Sequence, residues 1–443
     1  MRKMLAWTWL GAVACAGDKT EPPPPDGDAD TDTDTDADTD ADTDTDTDTD
    51  TDDGPCPERA PAGPTVDVAL GEDLEAAVAA AAPGSTLLLA SGTWGVVPPL
   101  VLDKAVTLRS ATGRRDDVVL DGEGRGGDLV EIRADDVTVA HLTLANAGQD
   151  AVSVVADTAS RESITLWDLA IVDPGRVAIV ADGDPAQGFG LEHAEIACID
   201  ASLSAAGRGR VGGECETGGV DVVAARDVVV RDSRFSGFWC ATDPALVGIR
   251  FWRGSRDIVV ERNVLADVAT GIVVGQSLEA DTRVWPDEPC GAVGGPLHAI
   301  DATVRNNIVF AADDDVVQSN DGLTVGVLAE SSCGVSIVHN SVYAGNIPLE
   351  GDIVQRYATT TGIIANNLVS HGVQRLDGAL ADVVGNVESA TFDTWYYPSQ
   401  GDFHTSPAAV WAIDQGDPAH SVPDDVDGER RTDGAPDVGA DER

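Results

Sequence analysis

The sequence has 443 residues, 28 basic and 77 acidic side chains, a formal net charge of -49 and only 5% aromatic residues. That length suits either several domains or one elongated repeat. The charge sets DNA and RNA aside as partners, because an acidic surface repels phosphates and no basic stripe interrupts it; cationic partners and divalent metal ions remain admissible.

The chain opens MRKMLAWTWLGAVAC, where Arg2 and Lys3 precede an apolar run and small residues lead to Cys15. This is the order of an export signal, and the run is shorter than the roughly twenty residues needed to span a bilayer. Val13, Ala14 and Cys15 resemble the end of a bacterial lipoprotein signal, with Ala12 standing where that motif most often has Leu. The resemblance implies a signal peptide over 1–14, lipidation of Cys15 and a membrane partner through that lipid. Ala16 rather than Asp follows Cys15, which points to the outer membrane or cell surface of a bacterial envelope. Ordinary cleavage, leaving Cys15 a plain thiol, is the alternative.

Export makes disulfides the expected use of the remaining cysteines, Cys56, Cys198, Cys215, Cys240, Cys290 and Cys333. No CxxC spacing marks a zinc site. Pairing of Cys198 with Cys215 and of Cys240 with Cys290 is expected, because each bond would staple a Gly-rich insertion.

Residues 15–64 read as a disordered acidic stalk. Fifteen aspartates lie between Asp26 and Asp53, mostly alternating with threonine, and Pro22 to Pro25 stiffen the base. With no large apolar side chain to bury before Cys56, the segment cannot offset its ordering entropy, and self-repulsion extends it. Its D-x-D-x-D pattern resembles the start of a calcium loop, but the turn Gly and the terminal Glu are missing, which leaves loose counterion binding.

Behind the stalk one helix is predicted, in GEDLEAAVAAAAPG, with acids at its start and a stop at Pro83-Gly84; the buried strand STLLLASGTW follows. A rung then recurs: DIVVERNVL, ATVRNNIVF, VSIVHNSVY, TGIIANNLV and ADVVGNVES place two apolar residues two apart and an asparagine three beyond the second. Those asparagines are Asn263, Asn307, Asn340, Asn367 and Asn386, while Ser233, Leu169 and Leu142 hold the slot upstream. A second strand repeats as Gly, apolar, any, apolar at Gly219, Gly248, Gly271 and Gly322. Short strands with a polar amide at one inward position predict a solenoid of parallel strands with a ladder of stacked asparagines. The leucine-rich framework and the regular hairpins of a β-sandwich are both absent.

In these segments the sequence resembles the right-handed parallel β-helix proteins of the pectate-lyase-like superfamily. DLEAAVAAAAPGSTLLLASGTW is similar to their N-terminal capping helix and first strand, and SPAAVWAIDQGDP with DDVDGERRTDGAPDVGADE to the closing segment of many bacterial surface β-helices. The resemblance implies an all-β fold with a short N-terminal capping helix, a β-helix over 65–395 and a C-terminal closing segment over 396–443. It is weak for activity, because this architecture serves lyases, hydrolases, adhesins and spacers alike.

Outward positions on the Gly-led strand are expected to form a column of Ser153, Ala178, Asp221, Arg250, Val273 and Thr324. In relatives that cleave acidic polysaccharides, carboxylates in such a groove bind Ca²⁺ while an Arg or Lys removes the proton beside the sugar carboxylate. Ca²⁺ neutralises that carboxylate and acidifies the neighbouring carbon. Asp221 and Arg250 would be the catalytic pair, and Ca²⁺ the cofactor; a surface ion pair is the plainer account, since one carboxylate does not complete a calcium site. A second column reads Arg231, Glu261 and Arg305. Asp313, Asp314 and Asp315 could ligate a metal or form a solvated corner. Trp239, Trp252 and Trp285, beside Arg250, Arg253 and Arg283, are candidates for stacking on sugar rings and pairing with their acidic groups. The alternative is that they anchor the long loop from Gln276 to His298. No complete catalytic set emerges, so the leading expectation is a monomer that binds a polysaccharide or other surface ligand without catalysis; a calcium-dependent polysaccharide lyase and an inert spacer are the alternatives.

Overall fold

The computed structural model describes residues 56–209, 211, 215–241, 245–276, 281–290, 296–311, 313–318, 322–344, 351–388, 390–398, 402–431 and 434–443. The predicted signal, Cys15 and the acidic run lie outside these residues.

The chain winds into a right-handed parallel β-helix. One sheet has ten parallel strands, and a second, of 22 strands, wraps the other sides of the coil. Its long strands turn that corner at single residues in the left-handed region. In Thr138–Ala145 and Thr165–Val172 these are His141 and Asp168, with φ of 52° and 50°. Cys198, Asp232, Arg262, Asn306, His339 and Asn366 repeat the conformation on later turns, which explains the frequency of Asp and Asn there, the non-Gly residues that best tolerate it.

The residue after each corner fills the polar slot read from the sequence. Nδ2 of Asn263, Asn307, Asn340 and Asn367 donates to Oδ1 of the asparagine on the next turn at 3.0, 3.0, 2.9 and 2.8 Å. Each acceptor oxygen also takes the backbone N–H of the asparagine before it. These four amides are inaccessible to solvent, so every donor inside the coil needs such a partner. Upstream, Ser233 Oγ accepts from the Ile199 N–H at 3.0 Å, and Leu142 and Leu169 continue the row as apolar residues. The rest of the interior is one continuous aliphatic core.

The N-terminal end is covered by the helix Leu74–Ala80, whose Asp73 cap accepts the Ala76 N–H and whose Leu74 and Val78 face inward. The Gly-led strands approach one another closely: a Cβ at Gly271 would stand 2.1 Å from the Gly326 carbonyl oxygen. The C-terminal segment lies along the flank of the coil. Trp395, Phe403, Ala412 and Val438 pack there on Ala266, Ile308, Phe310 and Leu368, the outward side chains of the strands beneath.

Two expectations are corrected. The stalk was expected to run to residue 64, but residues 56–64 lie against the coil: Trp167 Nε1 donates to the Pro57 carbonyl, Arg109 bonds Glu58 and the Arg59 carbonyl, and the Thr86 N–H bonds the Pro64 carbonyl. The disulfides are Cys56–Cys198, Cys215–Cys240 and Cys290–Cys333, not Cys198–Cys215 and Cys240–Cys290. In a coil the nearest partner is on the adjacent turn or on a segment laid across it, so distance along the chain is a poor guide.

Candidate functional site

The strands Gly218–Val223 and Ile249–Trp252 pair in register, which sets Asp221 beside Arg250 on the outer face of the ten-stranded sheet. Arg250 grips the carboxylate at two points, Nε to Oδ1 at 2.9 Å and Nη2 to Oδ2 at 2.5 Å, and its Nη1 donates to Gln276 Oε1 at 2.7 Å. Trp252 Nε1 donates to Asp221 Oδ1 at 3.0 Å, and the Arg250 guanidinium lies 4.4 Å from the Trp252 ring centre. Arg250 is 7% exposed. All three guanidinium nitrogens are therefore engaged with protein, and no nitrogen is free to take a proton from a sugar.

The column around this pair differs from the expected one. Val180, not Ala178, lies beside Asp221, and Leu328, not Thr324, lies beside Val273. The Gly that leads the later strand is Gly326, four residues beyond Gly322. The ion pair is thus bracketed by Val180 and Val273, with no second carboxylate adjoining it in the column. A calcium ion requires several oxygens, and both oxygens of Asp221 are already bonded, so the residues here do not fit Ca²⁺. The charged column of Arg231, Glu261 and Arg305 is present in register, with Arg305 Nε 2.7 Å from Glu261 Oε2.

The tryptophans divide. Trp285 is 8% exposed, donates to the Gly254 carbonyl at 2.8 Å and has Arg283 3.9 Å from its ring centre, with Arg226 and Arg256 at its other sides. Arg283 goes on to Glu192 at 2.6 Å. Trp239 is 4% exposed beneath Arg208. Neither indole has a free face for a sugar, which corrects the stacking role expected of them: both are anchors for loops. Trp252 is half-buried between Arg250 and Arg253, and Arg253 Nε is bonded to the Asp281 carbonyl.

Asp313, Asp314 and Asp315 are exposed at the start of the short helix Asp314–Gln318. Asp313 Oδ1 accepts the Asp315 N–H at 2.8 Å, so Asp313 is a helix cap, a role that accounts for the cluster without a metal. Among the described residues, the group of His, Cys, Asp or Glu side chains whose ligand atoms converge lies elsewhere, at His404, Asp427 and Asp441.

Sequence reading missed a cleft of about 510 Å³ along the corner residues, between the docked N-terminal strap and the C-terminal segment. Arg115, Arg234 and Arg262 line it with Asp168, Asp200, Asp232, Asp427 and the Cys56–Cys198 bridge. Arg262 is held by Asp232 and Asp424 at 2.7 Å each, and Arg115 reaches Asp168 and Asp200 at 3.5 Å. Arg234 is exposed and forms no ion pair among the described residues. No single repeat encodes this cleft, because its walls come from three distant segments.

Among solved structures, a pectate lyase, Pel9A, matches with a TM-score of 0.53 at 14% identity, over 86% of this chain and 96% of that one. An alginate lyase from Paenibacillus sp. strain FPU-7 matches with a TM-score of 0.47 at 17% identity, over 74% and 99%. A rhamnogalacturonan lyase gives 0.45 at 10% identity, over 84% and 97%. No protein-family model matches the sequence, and no curated protein matches it. The likeness is one of fold, the right-handed parallel β-helix of pectate-lyase-like proteins.

Proposed function

We propose that this β-helix binds acidic carbohydrate at a bacterial envelope without cleaving it, held there by a lipid on Cys15 and spaced from the membrane by the acidic run. The observation that carries the reading is the closed Asp221–Arg250 pair. At the outward position where a lyase would place a metal and a base, the arginine is buried and spent on Asp221 and Gln276. The fold shared with a pectate lyase supports a carbohydrate ligand. The cleft beside the Cys56–Cys198 bridge supplies a recess, and Arg234 supplies a cation available to a uronate or sulfate group.

The test uses the full-length chain on arrays of neutral, uronate and sulfated glycans, alongside uronate polysaccharides followed by ultraviolet absorbance for unsaturated ends, with and without Ca²⁺. Binding to acidic glycans, weakened about tenfold or more by Arg234→Ala, with no growth of absorbance, is the expected result. Calcium-dependent absorbance would replace this reading with a lyase. Failure to bind any glycan would leave a spacer.

A further inference from the structure

We propose that the C-terminal segment carries a divalent metal site formed by His404, Asp427 and Asp441, suited to a transition-metal ion such as Zn²⁺ or Mn²⁺. One ligand atom from each residue lies within 4.8 Å of the other two. His404 stands on the second strand of the antiparallel hairpin Trp395–Tyr397 and Asp402–Thr405. Asp427 belongs to the turn DDVDGERR, and Asp441 to the last residues of the chain.

The groups behind these side chains hold them in place. Asp402 Oδ1 is 2.7 Å from His404 Nδ1, so Nδ1 donates to a carboxylate while Nε2 faces Asp427 Oδ2 at 3.0 Å. A carboxylate on one ring nitrogen, fixing the tautomer and aiming the other, is the arrangement that orients metal-binding histidines. Asp425 is buried and bonds only backbone: its Oδ1 accepts the N–H groups of Asp427 and Glu429, and its Oδ2 that of Glu442. It thereby fixes both the turn that presents Asp427 and the residue next to Asp441. Within Asp425-Val426-Asp427-Gly428 the two acids therefore divide the work, Asp425 as scaffold and Asp427 as ligand.

The buried carboxylate calls for a neighbouring positive charge. Asp441 is 4% exposed and its Oδ2 accepts the Thr405 N–H at 2.6 Å, while its other oxygen accepts no hydrogen bond among the described residues and is left accessible where Asp441 lines a cavity. A carboxylate so placed is held ionised by a cation: without a metal this is the protonated His404, bonded to Asp402 and Asp427, and an ion bound at Nε2 would take the place of that proton. The cluster opens on a cavity of about 400 Å³ lined by Tyr396, Tyr397 and Arg443, which gives an ion an entrance. An imidazole nitrogen beside carboxylates suits Zn²⁺ or Mn²⁺ better than Ca²⁺, which prefers oxygens throughout. The site rests on none of the observations behind the carbohydrate reading, although Asp427 also lines the cleft of that reading.

The full-length chain, stripped by chelator, is titrated by calorimetry with Zn²⁺ and separately with Mn²⁺. Enough salt is present to screen loose binding by the aspartates from Asp26 to Asp53. A saturable site is expected, weakened more than about 100-fold in His404→Ala and about 10- to 100-fold in Asp402→Asn, whose carboxylate only orients the ring. Nitrogen coupling in the paramagnetic resonance of bound Mn²⁺ should vanish in His404→Ala, and Asp314→Asn should bind like the parent. His404 is exposed, so its variant is expected to fold, which circular dichroism checks. Absence of saturable binding by the folded parent, equal affinity in His404→Ala, or a site that prefers Ca²⁺ would each overturn the proposal.

Discussion

Arg59 places its guanidinium 3.5 Å from the centre of the Trp167 ring while its Nη2 reaches Glu195 Oε2 at 2.7 Å. Trp167 in turn donates its indole N–H to the Pro57 carbonyl, so the strap after Cys56 and the coil hold each other. Arg59→Ala is expected to destabilise the protein by about 1–2 kcal/mol, chiefly through the lost cation–π contact, since the ion pair is partly exposed. Chemical denaturation measures it. A variant as stable as the parent would show that the Cys56–Cys198 bond and the hydrogen bonds to Pro57, Glu58, the Arg59 carbonyl and Pro64 secure the strap without the Arg59 side chain.

The amide ladder should be far less tolerant. Asn307→Ala removes the acceptor of both the Asn263 side chain and the Asn263 N–H, and strips a donor from Asn340. The Asn263 N–H is left without a partner, at a cost of about 1–3 kcal/mol, while Asn263 Nδ2 keeps the Val230 carbonyl and Asn340 Oδ1 keeps the Asn307 N–H; with about 1 kcal/mol for each other bond lost, a loss of roughly 3 kcal/mol is expected. Asn386→Ala, at the half-buried end of the row, should cost about a third of that. Similar losses at the two positions would mean that water enters the coil.

The same ladder explains why the fold was legible. Asn263 through Asn386 recur at one slot because stacked amides satisfy one another, and that constraint leaves its mark on the sequence whatever the length of the intervening loops. The Gly-led strand was less clear where Gly322 and Gly326 both fit the pattern; close approach of the backbone decides between them, since a Cβ at Gly326 would stand 2.8 Å from the Asp352 oxygen. The cleft and the His404 cluster carry no period at all. Trp252 and Trp285 both have arginines nearby in sequence, and only the folded placement of residues 281–290 shows which indole is covered.

Arg250 and Asp221 form one structural unit. Arg250→Ala leaves the Asp221 carboxylate in a mostly covered position without its partner, which should cost about 3–5 kcal/mol. Replacing both residues, Arg250→Met with Asp221→Leu, should restore stability to within about 1–2 kcal/mol of the parent, because Val180 and Val273 on either side offer an apolar surround. Thermal unfolding of the two single variants and the double variant completes the cycle. A double variant less stable than both singles would contradict a mutually compensating pair.

His339 gives the coil a sensitivity to acid that can be isolated. It is inaccessible to solvent, and Asn366 fixes its state. The Asn366 side chain accepts the Asp417 N–H at Oδ1 and donates from Nδ2 to the Asp417 carbonyl, so its amide orientation is set, and Nδ2 faces His339 Nε2 at 3.0 Å. That ring nitrogen must accept, which a protonated imidazole cannot do. Burial, with the nearby Arg431 charge, lowers its pKa to about 3, against about 6.5 when unfolded. Between those values the unfolded chain binds the additional proton, so stability contributed by neutral His339 is present above pH 6.5 and is lost as pH falls toward 3. The loss approaches about 1.4 kcal/mol per pH unit, on the order of 3 kcal/mol at pH 4. Asn stands at the equivalent corner in Asn306 and Asn366, so His339→Asn suits the backbone and removes the titration. The stability of the variant relative to the parent, from denaturant unfolding at several pH values, should therefore rise steadily as pH is lowered from 6.5 to 4. A constant difference across that range would show that His339 has the same proton affinity folded and unfolded.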